Sequence, residues 1–291
     1  MNNYYLGGQK FSFPVLLPET APFEIPKNEE GTADEAAPFV ASAFVDKVLV
    51  SRTEGWVANA QRVVETWSVP AGFLLRVAGG SDFAVSPDGR NIWCACHKLD
   101  SEELTGTDRQ ILLGPVIVLA LALRGTWSLH ASAAIHNDNL ILFLGESGQG
   151  KSTLASYLAN EAGWRLAADD ILPVTIGTAG PLAWPHFPQL KLPMDAQPGV
   201  GLPEQLPISR VCVLADASLD EMPALQRLPA SQAIQVILGH TAGTRMFPPD
   251  LLGRHLAFCG RAIEQVPVYR LNYPRRREAL PMLEKLLEGL C

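Results

Sequence analysis

The chain has 291 residues, 47% of them hydrophobic and 18% charged, with a formal net charge of −7 at pH 7. Those proportions belong to a folded globular chain rather than a disordered one, and the length suggests two domains or one large one. The acidic balance argues against a general nucleic-acid binder or a binder of anionic membranes, since both need a basic excess.

Residues 1–38 contain Pro14, Pro18, Pro22, Pro26 and Pro38, with acids at Glu29, Glu30, Asp34 and Glu35. Each proline fixes φ and removes a donor, so this stretch reads as extended or mobile backbone. Tyr4, Tyr5, Phe11 and Phe13 are costly to leave in water and suggest that it lies across a groove. From Phe44 to Lys98 the pattern is that of strands: Phe44–Val50, Phe73–Val77 and Phe83–Val85, with the Ser86-Pro-Asp-Gly89 turn leading into Ile92-Trp93. Cys94-Ala-Cys96-His97 has no second ligand cluster near it, so the two cysteines read as neighbours on one strand face rather than as metal ligands. The cysteines (Cys94, Cys96, Cys212, Cys259, Cys291) are odd in number and scattered, which suits reduced thiols. With no export signal opening the sequence, the expected location is the cytoplasm.

Ile111–Leu123 is almost wholly apolar, but its 13 residues fall short of the roughly 20 that a membrane span needs. It reads as a buried helix, interrupted early by Gly114-Pro115. Trp127–Ile135 is then a strand, turned back at Asn137-Asp138-Asn139 into a second apolar strand, Leu140–Leu144, as a hairpin. Further on, Trp164–Ala168, Leu172–Ile176, Val211–Leu214 and Val268–Leu271 read as strands, and Ser231–Leu238, Asp250–Ile263 and Glu278–Glu288 as helices. The expected organisation is a β-rich N-terminal domain, 1–108, followed by an α/β domain, 109–291.

The chemistry centres on the stretch after Leu144. Gly145-Glu146-Ser147-Gly148-Gln149-Gly150-Lys151-Ser152-Thr153 follows an apolar strand and opens a helix, which is the strand, loop and helix of a phosphate-binding P-loop. Glycines let successive backbone N–H groups turn inward as an anion nest, and the helix adds the positive end of its dipole. Lys151 supplies a solvent-facing point charge for the β- and γ-phosphates, and the Ser152 hydroxyl a magnesium ligand. His130 stands 15 residues before Gly145 on the neighbouring strand, and Asp169-Asp170 lies 18 and 19 residues after Lys151, at an expected strand end. One carboxylate there can hold magnesium and the other accept a proton from an attacking hydroxyl. Arg275-Arg276-Arg277 reads as a solvated surface run before it reads as a grip on an acidic substrate.

Leu129-His130-Ala131-Ser132-Ala133, Gly145–Ser152 and Arg165–Asp170 together resemble the HPr kinase/phosphorylase family, over roughly residues 125–175. The resemblance implies a P-loop kinase domain on a fold similar to phosphoenolpyruvate carboxykinase. It also implies ATP and Mg2+ as cofactors, Asp169 as proton acceptor, Lys151 and His130 as active-site groups, and Ser152 as a magnesium ligand; Asp170, the other carboxylate of the pair, is then the one left to hold the metal. The family's downstream glutamate signature has no counterpart here, where Pro188-Gln-Leu-Lys-Leu-Pro193 stands. In that respect the chain is more similar to the divergent HPr kinase-related proteins, some of which phosphorylate the terminal serine of a lasso-peptide precursor. The expected function is therefore ATP-dependent phosphorylation of a serine on a peptide or protein. Its rivals are a nucleotide-binding sensor or assembly factor, an ATPase, and a kinase of a free small-molecule hydroxyl. Neither nucleic acid nor membrane is expected as a partner, and the family likeness leaves a homo-oligomer open.

Overall fold

The computed structural model describes residues 2–13, 15–25, 46–57, 59–95, 104–218 and 220–290. The chain forms two compact units: Met1–Trp127 with Gly243–Arg254, and Ser128–Ala242 with His255–Cys291. This division lies elsewhere than the expected boundary at 108/109, because the apolar helix 111–123 belongs with the β-rich unit.

In the first unit, β1 (Asn2–Leu6) and β2 (Gln9–Phe13) form an antiparallel hairpin. Its turn, Gly7-Gly8, needs positive φ at both residues (58° and 78°), which glycine adopts without a Cβ clash. The aromatic residues account for the order: Tyr4 is fully buried, Phe11 and Phe13 nearly so, and the Tyr4 hydroxyl accepts from the Leu17 N–H at 3.2 Å. Extended or mobile backbone was expected; Asn2–Phe13 is extended as a paired hairpin, ordered by apolar burial ahead of the prolines, and 26–45 lies outside the described residues.

β3 (Val48–Val57), β4 (Ala60–Val69), β5 (Gly72–Val77), β6 (Asp82–Val85) and β7 (Ile92–Ala95) make a five-stranded antiparallel meander. The expected Phe44–Val50 strand falls partly outside the described residues and is offset from β3. Cys94 on β7 is disulfide-bonded, contrary to the expectation of reduced thiols, whereas Cys212 and Cys259 are free and buried.

The helix extends further than the apolar run alone suggests. It starts at α1 (Gly106–Ile111), capped by the Thr105 hydroxyl on the Asp108 N–H at 3.1 Å, and ends with α2 (Ile117–Leu123). Between them lies a wide turn, Leu112–Val116, centred on the non-helical Gly114 that the Gly-Pro pair foretold. By length and composition this helix could cross a membrane, and most of it is buried inside the protein.

The second unit is built on a mixed seven-stranded sheet. Its strands are β8 (Trp127–His136), β9 (Asn139–Leu144), β10 (Arg165–Ile176), β11 (Pro181–Ala183), β12 (Leu206–Asp216), β13 (Ala224–Arg227) and β14 (Val268–Tyr273). They lie in the order β11-β10-β8-β9-β12-β14-β13. β8 and β9 pair antiparallel across a turn with positive φ at Asn137 and Asp138 (47° and 63°), the two-residue hairpin geometry that Asn and Asp tolerate. β9, β12 and β14 run parallel, so their carboxyl ends share one edge. All of Leu140–Leu144 is buried, as a strand covered on both faces requires.

α3 (Lys151–Glu161) and α6 (Leu280–Glu288) pack on one face of this sheet through Leu154, Leu158, Leu283 and Leu287, each fully buried. Burying such a side chain contributes about 1.5–3 kcal/mol. α4 (Ala230–Gly239) and α5 (Pro249–Gln265) complete the helices.

α5 carries a buried imidazole. His255 is 0% exposed, with Nε2 2.9 Å from the Thr241 hydroxyl. That hydroxyl donates to the Ile237 carbonyl at 2.8 Å, so it accepts from His255, fixing the neutral Nε2–H tautomer. Burial pushes the His255 pKa down from 6.5 to about 4. The unfolded chain therefore takes up this proton first, and stability falls as pH drops from 6.5 toward 4, by on the order of 3 kcal/mol. Urea unfolding at pH 7.5 and 4.5 should show a smaller loss for His255→Gln than for the parent chain; equal losses would place the acid sensitivity elsewhere.

Candidate functional site

The glycine loop leaves the carboxyl end of β9 and feeds α3. Gly145, Gly148 and Gly150 take φ of 149°, 82° and 89°, a backbone path that residues with a Cβ rarely adopt. At Gly150 a Cβ would stand 2.6 Å from the Tyr273 hydroxyl, so the loop also needs glycine for space.

Its curvature is held from within and from a neighbouring strand. The Gln149 side chain accepts from the Glu146 N–H at 2.7 Å. The Tyr273 hydroxyl, at the end of β14, donates to the Gln149 carbonyl at 2.9 Å. Arg275 donates to the Gly148 carbonyl at 2.7 Å and forks onto Asp216, at the end of β12, with contacts of 2.7 and 2.8 Å. One arginine of the basic run is thus a loop clamp rather than a solvated charge.

Lys151 differs from expectation. It is buried, 8% exposed, and donates to the Gly145 and Glu146 carbonyls at 2.6 and 3.1 Å. The ammonium folds back over its own loop because those carbonyls replace the water that a solvent-facing lysine would keep. Burial lowers its pKa and Lys191 lowers it further, while Asp170, Glu146 and Asp169 oppose them. Ser147, Ser152 and Thr153 are exposed.

On the other side of β9, the hairpin register runs as far as Ser132 opposite Phe143, and His130 lies two residues before Ser132 on β8. Asp169 and Asp170 lie within β10 rather than at a strand end, because β10 runs unbroken from Arg165 to Ile176. The Ser132 hydroxyl donates to Asp169 Oδ1 at 2.9 Å. His130 Nδ1 lies 3.1 Å from Asp170 Oδ1 and 3.0 Å from its carbonyl, and Lys191 Nζ lies 2.7 Å from the same Oδ1. Burial raises the Asp170 pKa, but the His130 and Lys191 hydrogen bonds and charges outweigh it, and the net shift is downward. Asp170 is therefore an anion already held by the Lys191 ammonium and by its contact with the His130 ring.

Sequence reasoning passed over several residues here. Gln189 is 1% exposed, and its Oε1 accepts from the Asp169 and Ile171 N–H groups at 3.0 and 3.3 Å while its Nε2 donates to the Ile171 carbonyl at 2.8 Å. It thus serves β10 as a strand partner would. Gln197 in turn binds the Gln189 N–H at 2.8 Å. His240, at the end of α4, accepts the His130 N–H on its carbonyl at 2.7 Å. Burial pushes the His240 imidazole below its ordinary value; Glu146 opposes this, and Lys151 and His130 add to it. An acid ending a parallel strand beside the loop strand was a signal that could have found Asp216. Nothing local marks Gln189 or His240.

The donor set suits a magnesium ion shared with substrate phosphates, which takes only one or two protein oxygens. Ser152 offers an exposed hydroxyl, and Asp170 an oxygen, Oδ2, without a hydrogen bond among the described residues; Lys191 beside it opposes a second cation. No group of three or more His, Cys, Asp or Glu residues suited to a metal occurs among the described residues, so a closed protein cage is not the arrangement here.

No family profile and no curated protein matches the chain. Among solved structures it is similar to the HPr(Ser) kinase/phosphatase from Coxiella burnetii, at 16% identity, over 56% of this chain and 94% of that one, with a TM-score of 0.34. That is a distant structural similarity, and the architecture is a mixed α/β one.

Proposed function

We propose that the chain is an ATP-dependent kinase that passes the γ-phosphoryl group to a serine hydroxyl of a peptide or protein. The observation that carries this reading is a glycine loop at the end of β9, with Lys151 at its helix start, across β8 from a carboxylate on β10, Asp169, whose Oδ2 accepts no hydrogen bond among the described residues. The sequence likeness around His130, Gly145–Ser152 and Asp169-Asp170 supports the same reading.

Mg2+ bound by Ser152 and Asp170 would neutralise phosphate charge. The loop N–H groups and the start of α3 receive the phosphates, and Lys151 exchanges its carbonyl partners for phosphate oxygens. Asp169, oriented by Ser132 on one oxygen and by Gln189 through its backbone, accepts the acceptor hydroxyl's proton on the other. His130 and Lys191 hold Asp170 in its anionic form. Positioning and charge stabilisation make up the catalysis.

A second reading is a nucleotide-binding sensor that holds ATP without transfer. The Lys191 contact with Asp170 favours it, because that cation occupies the place of an incoming metal. Incubation with γ-labelled ATP, a serine-containing peptide series and free serine separates the two. Label in a peptide is the expected result. Label in free serine would make the acceptor a small molecule, and ATP binding with no label in any acceptor would favour the sensor.

A further inference from the structure

Within the second unit a cavity of about 540 Å³ opens from the glycine loop and runs along α3. Its lining includes Gly148, Gly150 and Thr153 of the loop and helix start, Tyr157 and Asn160 further along α3, and Arg276. We infer that this cavity takes the base and ribose of the nucleoside triphosphate, with Arg276 and Tyr157 against the base plane and Asn160 on its edge. The inference rests on the proposed nucleotide reading and specifies where that ligand's non-phosphate half sits.

Three observations carry it. The first is reach. From Thr153 to Asn160 the helix rises about 10 Å, at roughly 1.5 Å per residue, which is the scale of a ribose and base extending from a bound phosphate. The volume also falls within the range of about 300–1,000 Å³ of small-molecule sites.

The second is chemistry. A base offers two faces for stacking and an edge for hydrogen bonds. Tyr157 is half-buried and fixed by its hydroxyl on Glu284 at 3.2 Å, so its ring is held in place. Asn160 is exposed and presents a donor and an acceptor together, the pair that reads a purine edge.

The third is the arginine run. Arg275 is committed to Asp216 and the Gly148 carbonyl, and Arg277 to Glu161 at 3.2 Å. Arg276 is exposed and makes no side-chain hydrogen bond or ion pair among the described residues. A guanidinium left without a partner between two committed ones, at the wall of a cavity, suits stacking on a base.

Calorimetric titration of the full chain with MgATP and with magnesium tripolyphosphate tests this. Tripolyphosphate reports on the loop alone. The parent chain should bind ATP more tightly than tripolyphosphate. Arg276→Ala combined with Asn160→Ala, both at exposed positions, should weaken ATP by about 10-fold and leave tripolyphosphate within about 2-fold. Equal affinity for the two ligands in the parent chain, or an ATP affinity untouched by the double substitution, would overturn the cavity assignment and leave the loop reading standing. Failure of the parent chain to bind either ligand would overturn both.

Discussion

Asp169→Asn is expected to lower phosphoryl transfer by about 10²–10⁴-fold while leaving ATP affinity nearly unchanged. The substitution is a clean one at this position. Ser132 donates to Oδ1 at 2.9 Å, and the Asn carbonyl oxygen can accept that bond in its place. The Asp169 backbone N–H stays on Gln189 in either variant. What is lost is the ability to take a proton at Oδ2. Asp170→Asn acts differently: it removes the anion that His130 and Lys191 compensate, and the expected result is a higher magnesium requirement, partly recovered by excess metal. Single-turnover rates for both variants across a magnesium titration read the difference. Magnesium rescue of Asp169→Asn, or an unchanged rate, would reverse the two roles or remove both.

Lys151→Met should cost roughly 100-fold or more in turnover, because a direct cation–phosphate contact in a partly dry loop supplies several kcal/mol of transition-state stabilisation. Methionine is the informative choice. Lys151 is buried against its loop, and an alanine there would leave a hole as well as remove a charge. Methionine keeps an unbranched stem of similar length and deletes only the ammonium and its bonds to the Gly145 and Glu146 carbonyls. Unfolding midpoints of the two proteins separate a lost fold from a lost charge. Turnover near the parent rate in Lys151→Met would falsify the assignment of the loop.

Much of the α/β unit was legible because its signals are local. Leu140–Leu144 ran unbroken into a glycine-lysine-serine sequence, Asn137-Asp138 marked a tight hairpin, and α4, α5, β14 and α6 carried clear periodicity. Gly114-Pro115 announced its kink in the same way. The elements that went unread lacked such marks. β4 mixes polar and apolar residues, and β11 and β13 are too short for a period to show. The N-terminal hairpin was hidden by prolines that follow it rather than interrupt it.

In the candidate site, the sequence spacing pointed to Gly145–Thr153, His130 and the two aspartates as one group. It could not reveal which cation reaches Asp170 or that Lys151 turns inward, since both depend on residues brought close by the sheet order. Gln189 and His240 are the extreme case. Each acts through chain segments distant in sequence, and only pairing across the fold gives them meaning.

Gln189 gives the sheet beside Asp169 an unusual border. A neighbouring strand can leave only by unzipping a ladder, whereas this partner leaves when one side chain swings away. Three hydrogen bonds hold it to Asp169 and Ile171. A fourth bond, from the same side chain to the Phe187 carbonyl at 3.1 Å, is lost in the same swing, so at roughly 0.5–1.5 kcal/mol net apiece the released form holds between about one molecule in thirty and one in twenty-five thousand. That is rare enough to keep the backbone beside Asp169 in one place nearly all the time, at a border that a single side chain closes.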